Sequence, residues 1–321
     1  MAPGGEEMAQ QDHPAVIAVV GPTATGKTYF GVHLAQELNG EVISCDSMQL
    51  YRGMEIGTAA PTPQEQCGIP HHLIGVLSPS EPYCVADYCR DAGQCVADIL
   101  ARGRLPIFVG GTGLYLDSLL TGLSYPTLPD SGTIRARLAQ EAKSLPPGSL
   151  HRRLASIDPQ SAARLHPNDL KRVIRALEVY ALTGRTLTEL GEEARGEPPY
   201  RALRLGLDYK DRSVLYDRID RRVDRMVDEG LLEEVRRLAA LPGVQNSTAL
   251  QAIGFKEFLP VLRGELSCKQ AADAVKLATR HYAKRQRTWF YRDAETHWFY
   301  RDLEEDSAIL SGMLRLAGDF L

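Results

Sequence analysis

The chain has 321 residues, which is enough for one large domain or two of ordinary size. Its composition, with 44% hydrophobic and 24% charged residues, is typical of a soluble globular protein, and no apolar run approaches the roughly 20 residues of a membrane span. The net charge of −4 neither requires nor excludes a nucleic-acid partner, and the six cysteines form no C-x-x-C pair that would indicate a zinc site.

The first thirteen residues are polar and acidic. They lack the Arg-rich amphipathic character of a transit peptide and the apolar centre of a secretory signal. We therefore predict a disordered tail over residues 1–13 and a cytoplasmic protein, in which the cysteines are small buried thiols.

The first ordered element is predicted to be a buried parallel strand over Val16–Val20. It is followed directly by the letters GPTATGKT at positions 21–28, which fit G-x-x-x-x-G-K-[ST] without a mismatch, and then by a predicted helix over Tyr29–Leu38. A strand, a glycine loop and a helix in this order are typical of a phosphate-binding loop, as found in nucleotide-binding and ATP-binding proteins. Lys27 adds a point charge and Thr28 can hold Mg²⁺; the alternative is a glycine turn with a chance lysine. The predicted phosphate-binding residues are Gly21, Thr23, Ala24, Thr25, Gly26, Lys27 and Thr28.

A second predicted strand, Glu41–Ser44, leads into Asp46. The carboxyl end of a strand beside a phosphate loop faces the bound phosphates, so we place Asp46 at the reaction centre, as a general base or a magnesium ligand. The alternative is that Asp46 caps a helix.

A predicted helix over Val85–Arg102 and a third strand over Leu105–Val109 lead to Gly110-Gly111-Thr112-Gly113. Thr112 is expected to lie across the loop from Asp46. Nucleotide hydrolases usually carry an acidic residue after such a strand to hold Mg²⁺ and order water, and glycine stands there instead. The loop is thus expected to hold a diphosphate without splitting a phosphate bond.

Alternating strands and helices predict an α/β fold with a parallel sheet flanked by helices. Residues 126–199 are rich in proline at both ends and predict short amphipathic helices, so we interpret them as an inserted all-helical subdomain in a phosphate-loop core formed by 14–125 and 200–300. The predicted helices of the insertion are Thr133–Lys143, Ser149–Ile157, Pro159–Leu165 and Asp169–Leu182. A basic cluster within it consists of Lys171, Arg172 and Arg175.

The last part of the chain predicts a fourth strand over Ala202–Leu207 and helices over Arg212–Asp228, Leu231–Ala240 and Lys269–Tyr291. Arg218 and Arg222 are four residues apart on one helix, where they either clamp a diphosphate or belong to a solvated charged face.

The C-terminal run Arg280–Arg292 mixes basic and aromatic residues, which suits RNA backbones and stacked bases but also a helix that packs on the core. The adjacent His71 and His72 have poor geometry for ligands of one metal, so structural roles are expected for both.

Taken together, these segments resemble the tRNA dimethylallyltransferases, also called isopentenyl-tRNA transferases. The resemblance extends in the family's order from about Ala15 to Phe290 and is highly specific. The matching segments are 21–28, Asp46–Ala59, Pro70–Leu73, Val109–Tyr115, His166–Asp169, Arg175–Val179, Gly254-Phe255 and Lys284–Gln286. The chain lacks the cysteines and histidines of the zinc finger that eukaryotic relatives often add, so the bacterial type is expected.

The resemblance implies transfer of a dimethylallyl group from dimethylallyl diphosphate to the exocyclic amine of the adenosine 3′ of a tRNA anticodon. It implies that Asp46 is the base, that Thr112 contacts the bridging oxygen, and that Arg218 or Arg222 helps to hold the diphosphate with Lys27 and Mg²⁺. The residues predicted to contact tRNA are Asp46, Ser47, Met48, Gln49, Arg135, Lys171, Arg172, Arg175, Gly254, Phe255, Lys284 and Arg285. A monomer without membrane contact is expected.

Three alternatives remain. An adenylate isopentenyltransferase would act on free AMP-type acceptors, but it would need neither the insertion nor the basic aromatic helix. A small-metabolite kinase would need the acidic residue that is missing after Leu105–Val109. A non-catalytic RNA-binding protein with a relict loop would not need Lys27, Thr28 and Asp46 intact.

Overall fold

A computed structural model of the chain describes residues 13–123, 132–194 and 196–321. The chain divides into two compact units, one formed by Met1–Leu120 with Pro199–Leu321 and the other by Thr121–Pro198. Except for His13, the predicted tail lies outside the described residues, and so does the predicted start of the insertion at residue 126. In the described part of the chain, no helix is both long enough and apolar enough to cross a bilayer.

The larger unit is built on a six-stranded sheet in which all neighbouring strands are parallel, in the order β3-β2-β4-β1-β5-β6. The predicted fold class, α/β with a parallel sheet flanked by helices, is confirmed. The strands are β1 (Ala15–Val20), β2 (Gly40–Cys45), β3 (His71–His72), β4 (Leu105–Gly110), β5 (Arg201–Asp208) and β6 (His297–Tyr300).

The four predicted strands are the four central ones, because a strand that is covered on both faces is a continuous apolar run. In β1, the side chains from Val16 to Val20 are at most 2% exposed. The edge strands β3 and β6 were not predicted, since they have only two and four residues and contain histidine and aromatic side chains.

Helices of the larger unit flank this sheet, and each predicted helix in this unit is confirmed to within two residues at its ends. Within the described residues they are α1 (Lys27–Glu37), α2 (Glu55–Thr58), α3 (Pro63–Gln66), α4 (Val85–Ala101), α5 (Gly113–Leu120), α11 (Arg212–Asp228), α12 (Leu231–Ala239), α13 (Phe255–Leu262), α14 (Cys268–Phe290) and α15 (Asp306–Phe320). The helices α2, α3, α5, α13 and α15 were not predicted.

The histidines of β3 have a structural place at the edge of the sheet. His72 Nε2 lies 2.6 Å from Oε2 of Glu41, which is 2% exposed, and Arg102 donates to both oxygens of the same carboxylate at 3.1 and 2.7 Å. Hydrogen bonds from Arg102 and His72 outweigh the opposing effect of burial and lower the pKa of Glu41. His71 lies next to His72 and lines the cavity described below.

The smaller unit contains α6 (Gly132–Ser144), α7 (Ser149–Ile157), α8 (Pro159–Arg164), α9 (Leu170–Thr183) and α10 (Leu187–Glu193). Its core consists of apolar side chains from α6, α7, α8 and α9, among them Leu138, Leu154 and Val173. Helix α10 was not predicted, although Thr186 and Glu189 form the capping box that marks its start.

Candidate active site

The phosphate-type loop turns sharply where it meets α1. Gly26 has a φ of +83°, and a Cβ atom built on it would lie 2.3 Å from Nη1 of Arg301. The left-handed backbone favours glycine at this position, whereas the guanidinium is the end of a flexible side chain that could move. The helix begins at the next residue, Lys27, so that its N-terminus faces the loop, as in phosphate-binding sites.

Side chains from α11 and α14 hold the loop in place. Gln286 accepts a hydrogen bond from the backbone N–H of Thr23 at 2.8 Å, and Arg222 Nη1 donates to the Thr23 hydroxyl at 3.1 Å. Arg218 donates from Nε to the carbonyl of Ala24 at 3.1 Å. Both arginines singled out by their spacing therefore reach the loop, and Arg222 is not part of a purely solvated face.

Two cations lie close together beneath the loop. Lys27 Nζ donates to the carbonyl of Pro22 at 2.7 Å. Burial, and secondly the charge of Arg222, lower the pKa of Lys27 to about 7, against the opposing effects of Asp46 and Asp208. Burial also lowers the pKa of Arg222. An anion bound here would relieve the cost of keeping both groups charged.

Asp46 follows β2 and fixes the turn after it. Its Oδ1 accepts hydrogen bonds from the backbone N–H of Met48 at 2.9 Å and of Gln49 at 3.4 Å. The carboxylate also lines both cavities of the site. Residues 47–50 form a turn and not a helix, so the alternative that Asp46 caps a helix is wrong. The hydrogen bonds within this turn orient the carboxylate.

Thr112 lies next to this turn. Its hydroxyl accepts from the backbone N–H of Ser47 at 3.0 Å, and its own N–H donates to the carbonyl of Cys45 at 3.0 Å. Tyr282 on α14 borders the same site, and burial is the largest cause of its raised pKa. Thr112 therefore joins the β2 turn to the glycine loop.

Two cavities meet at Asp46. The first, of about 120 Å³, is bordered by the loop from Thr23 to Thr28 and by the glycines after β4. The second, of about 310 Å³, lies between the β2 turn, α11 and α14, and its walls are more apolar. The side chains shared by both cavities are Thr23, Asp46, Arg222 and Tyr282. The arrangement can hold an anionic group on one side of a carboxylate and a flat polar group on the other.

Other residues predicted to contact tRNA line different cavities. Ser47, Met48 and Arg285 line the second cavity and Gln49 lines the first. Lys284 lines a separate cavity with residues of α11.

The predicted tRNA contact by Phe255 meets a physical obstacle, because its ring is fully buried in the apolar core around α12 and α13. Gly254, with a φ of +99°, forms the N-cap of α13. A contact at these two positions would have to use the backbone.

The basic residues of the smaller unit are partly compensated. Arg172 pairs with Asp169 at 3.2 Å. Arg135 and Arg175 both donate to Glu178, which is fully buried, at 2.9 and 2.8 Å. Lys171 is exposed. From residue 126 to 199, eleven Lys and Arg are nearly balanced by nine Asp and Glu, so the cluster is a local feature of α9 rather than an excess over the whole insertion.

Sequence reasoning missed Tyr282 and Gln286. Gln286 is 4% exposed and links Thr23 to the carbonyl of Gly111, to which its Nε2 donates at 2.9 Å. The available signal was their spacing of four residues on one helix, which puts both on the same face. The basic residues around them instead favoured the interpretation that this helix faces RNA.

Family models and curated relatives match most of the chain. The family model described as "IPP transferase" matches residues 49–293, and the one described as "Isopentenyl transferase" matches residues 14–72. A tRNA dimethylallyltransferase of Thermoanaerobacter sp. is 43% identical over 86% of this chain and 88% of its own, and one of Halalkalibacterium halodurans is 47% identical over 87% and 88%.

Solved structures are similar over most of the chain. The tRNA isopentenylpyrophosphate transferase of Bacillus halodurans is 44% identical with a TM-score of 0.71, covering 95% of this chain and 96% of its own. A eukaryotic dimethylallyltransferase acting on tRNA is 35% identical with a TM-score of 0.71, covering 86% and 69%. With a phosphate-type loop, Asp46 and two adjoining cavities in place, the chain belongs to the tRNA dimethylallyltransferase family, as the resemblance predicted.

Proposed function

We propose that the protein transfers a dimethylallyl group from dimethylallyl diphosphate to the exocyclic amine of the adenosine 3′-adjacent to the anticodon in tRNA, giving isopentenyladenosine and diphosphate. The observation that carries the proposal is the junction of the two cavities at Asp46. One cavity offers a phosphate loop and cations, and the other offers space for a base that has left the anticodon stack.

The donor occupies the first cavity, with its diphosphate on the loop. As the bond between C1 and the bridging oxygen breaks, negative charge grows on the diphosphate. Lys27 and Arg222 already lie there and are partly buried, so they stabilise this charge more than that of the intact donor. Arg218 reaches the same loop from the solvent side and screens the leaving group.

Mg²⁺ fits this arrangement. Among the described residues no group of three or more His, Cys, Asp or Glu side chains could hold a metal on its own. Mg²⁺ prefers oxygen ligands and commonly takes most of them from water and substrate phosphates. The hydroxyl of Thr28, which borders the first cavity, would supply the protein ligand, and the ion would neutralise charge on the diphosphate.

The acceptor enters the second cavity. The adenine amine attacks C1 of the donor, the C1–O bond breaks, and Asp46 takes the proton that the amine loses. The hydrogen bonds from Met48 and Gln49 to Oδ1 fix the direction of the carboxylate. We assign to Thr112 the contact with the bridging oxygen of the donor; its hydroxyl accepts from the N–H of Ser47, and its side chain lines neither cavity.

The tRNA is bound by the turn from Ser47 to Gln49, by Arg285, and by basic residues of the smaller unit. Arg135, Lys171, Arg172 and Arg175 supply the contacts to backbone phosphates, with Lys284 and the backbone at Gly254 and Phe255 as further candidates. Both cavities are lined by residues of one chain, so the proposed reaction requires no second copy, and we propose a monomer. We place the protein in the cytoplasm with its tRNA substrate and do not assign ATP as a substrate.

The test is an incubation of the protein with labelled dimethylallyl diphosphate, Mg²⁺, and either unmodified tRNA or AMP. Label in tRNA at the adenosine next to the anticodon supports the proposal. Label in AMP alone would indicate an adenylate isopentenyltransferase, and no label in either acceptor would refute prenyl transfer.

A further inference from the structure

Glu234 is a buried carboxylate that the mechanism above does not use. It lies on α12, is 1% exposed, and is surrounded by apolar side chains such as Leu231 and Val235. Burial raises its pKa, and hydrogen bonds from two backbone N–H groups oppose this effect. Burying a carboxylate costs free energy unless it is fully hydrogen-bonded. The hydrogen bonds of Glu234 therefore indicate its role.

Those contacts are all on one short segment. The backbone N–H of Gly57 donates to Oε1 at 2.7 Å and that of Ile56 to Oε2 at 2.9 Å. Both belong to α2, which has only four residues and cannot be stable alone. The segment also packs closely against the ring of Phe255, since a Cβ on Gly57 would lie 2.4 Å from that ring.

The C-terminal end of α2 contacts Arg222 and Gln49, which line the cavities of the site. The carbonyl of Thr58 accepts from Nη2 of Arg222 at 3.2 Å, while Nη1 of the same guanidinium binds the Thr23 hydroxyl. Gln49 Nε2 donates to the next carbonyl, that of Ala59, at 3.3 Å. A continuous chain of contacts thus leads from Glu234 through Gly57 and Thr58 to Arg222 and the phosphate loop.

We propose that Glu234 is a positioning residue for prenyl transfer: by anchoring α2 it sets the carbonyl that aims Arg222 at the diphosphate. The inference rests on the proposed function. Arg222 is partly buried, and the Thr23 hydroxyl and the Thr58 carbonyl accept from its guanidinium and fix its direction. Displacing that carbonyl leaves the guanidinium tied to Thr23 alone and weakens the stabilisation of the leaving group.

The test compares Glu234→Gln with Glu233→Gln, a matched control on the same helix whose side chain is exposed and pairs with Arg236. Glutamine keeps the shape but leaves only one oxygen acceptor for two N–H groups. We expect the single-turnover transfer rate to fall by about 10-fold in Glu234→Gln, consistent with a small misplacement of a catalytic group. We expect an unchanged rate in Glu233→Gln and unchanged tRNA affinity in both.

A double-mutant cycle separates positioning from general destabilisation. If Glu234 acts through Arg222, adding Glu234→Gln to Arg222→Ala should change the rate by less than about twofold, because the interaction is already absent. Binding of inorganic diphosphate, measured by calorimetry well below the melting temperature, should weaken in Glu234→Gln and respond to the second mutation in the same way. If Glu234→Gln does not fold, Glu234→Asp replaces it in every measurement.

Additive losses in the cycle, or a wild-type rate in Glu234→Gln, would overturn the inference. A failure of the proposed function is distinguishable from this result, because the wild-type protein itself would then not transfer the prenyl group to an anticodon stem-loop.

Discussion

Replacing Asp46 by Asn tests the assigned base while preserving the turn that the carboxylate builds. The Asn side chain keeps an oxygen that can accept from the N–H of Met48, at 2.9 Å in the native protein. Its amide nitrogen then takes the position of the second carboxylate oxygen, where it cannot accept a proton. Asp46→Ala removes both the basic oxygen and the hydrogen bond that holds the turn.

The expected loss of transfer rate differs between Asp46→Asn and Asp46→Ala. Loss of a general base costs about 10²–10⁴-fold in rate, which corresponds to roughly 3–5 kcal/mol of activation free energy. The hydrogen bond that only Asp46→Ala removes involves a charged group, and such a bond is worth about 1.5–3 kcal/mol when it is well formed. Part of that effect lowers stability rather than rate, so we expect Asp46→Ala to react no more than about 10-fold more slowly than Asp46→Asn.

The assay is single-turnover transfer from labelled dimethylallyl diphosphate to an anticodon stem-loop at saturating concentrations of both, with tRNA affinity measured in parallel. Affinity should be almost intact in both variants. A rate within threefold of wild type for Asp46→Asn would remove the carboxylate from proton transfer. If Asp46→Ala alone were slow, Asp46 would act only by shaping the turn.

Three further predictions concern other parts of the molecule. Lys27→Ala should weaken binding of dimethylallyl diphosphate by about 10–100-fold and slow transfer without changing tRNA affinity, as measured by calorimetry and filter binding; normal donor binding would mean that the loop is not the donor site. Neutralising Lys171, Arg172 and Arg175 should weaken tRNA binding and flatten its dependence on salt concentration. The slope of log K against log salt should change by up to about 0.9 for each phosphate that the variant no longer neutralises. An unchanged slope would show that the cluster is a solvated face. Glu41→Gln should lower the free energy of unfolding by about 2 kcal/mol near pH 7. Because folding lowers the pKa of Glu41, its ionised form stabilises the folded protein above the ordinary carboxyl pKa, and this contribution disappears as the pH falls. The difference between Glu41→Gln and wild type in urea unfolding should therefore be smaller at about pH 3.5 than near pH 7. An equal difference at both pH values would contradict the assignment.

The features that could be predicted are those that a short stretch of sequence determines. The central strands are continuous apolar runs, and the loop from Gly21 to Thr28 needs its glycines and lysine at fixed spacing. Asp46 could be placed because the carboxyl ends of neighbouring parallel strands meet at one edge of the sheet. Each of these predictions depends on residues that are close in sequence or on a general property of parallel sheets.

The features that could not be predicted depend on contacts between distant parts of the chain. Gln286 reaches Thr23 across 263 positions, and Glu234 reaches Ile56 across 178. The spacing of Gln286 from Tyr282 indicates a shared face but not its burial, and nothing in the local sequence distinguishes Glu234 from its exposed neighbour Glu233. Only packing decides which of these polar side chains is buried, and burial then requires that each finds its partners.

The same reasoning changes the meaning of a basic cluster. Spacing shows that Arg218 and Arg222 share a face, but the fold leaves Arg222 partly buried in the same cavity as Lys27 and leaves Arg218 exposed. In the smaller unit, Glu178 takes up the charge of one of the two arginines that it binds and fixes the direction of both. A pair held in this way offers less net charge to RNA than its count suggests, but it loses less side-chain entropy when it binds a phosphate. The salt dependence of tRNA binding therefore measures what the sequence count cannot, which is how many of these cations actually meet a phosphate.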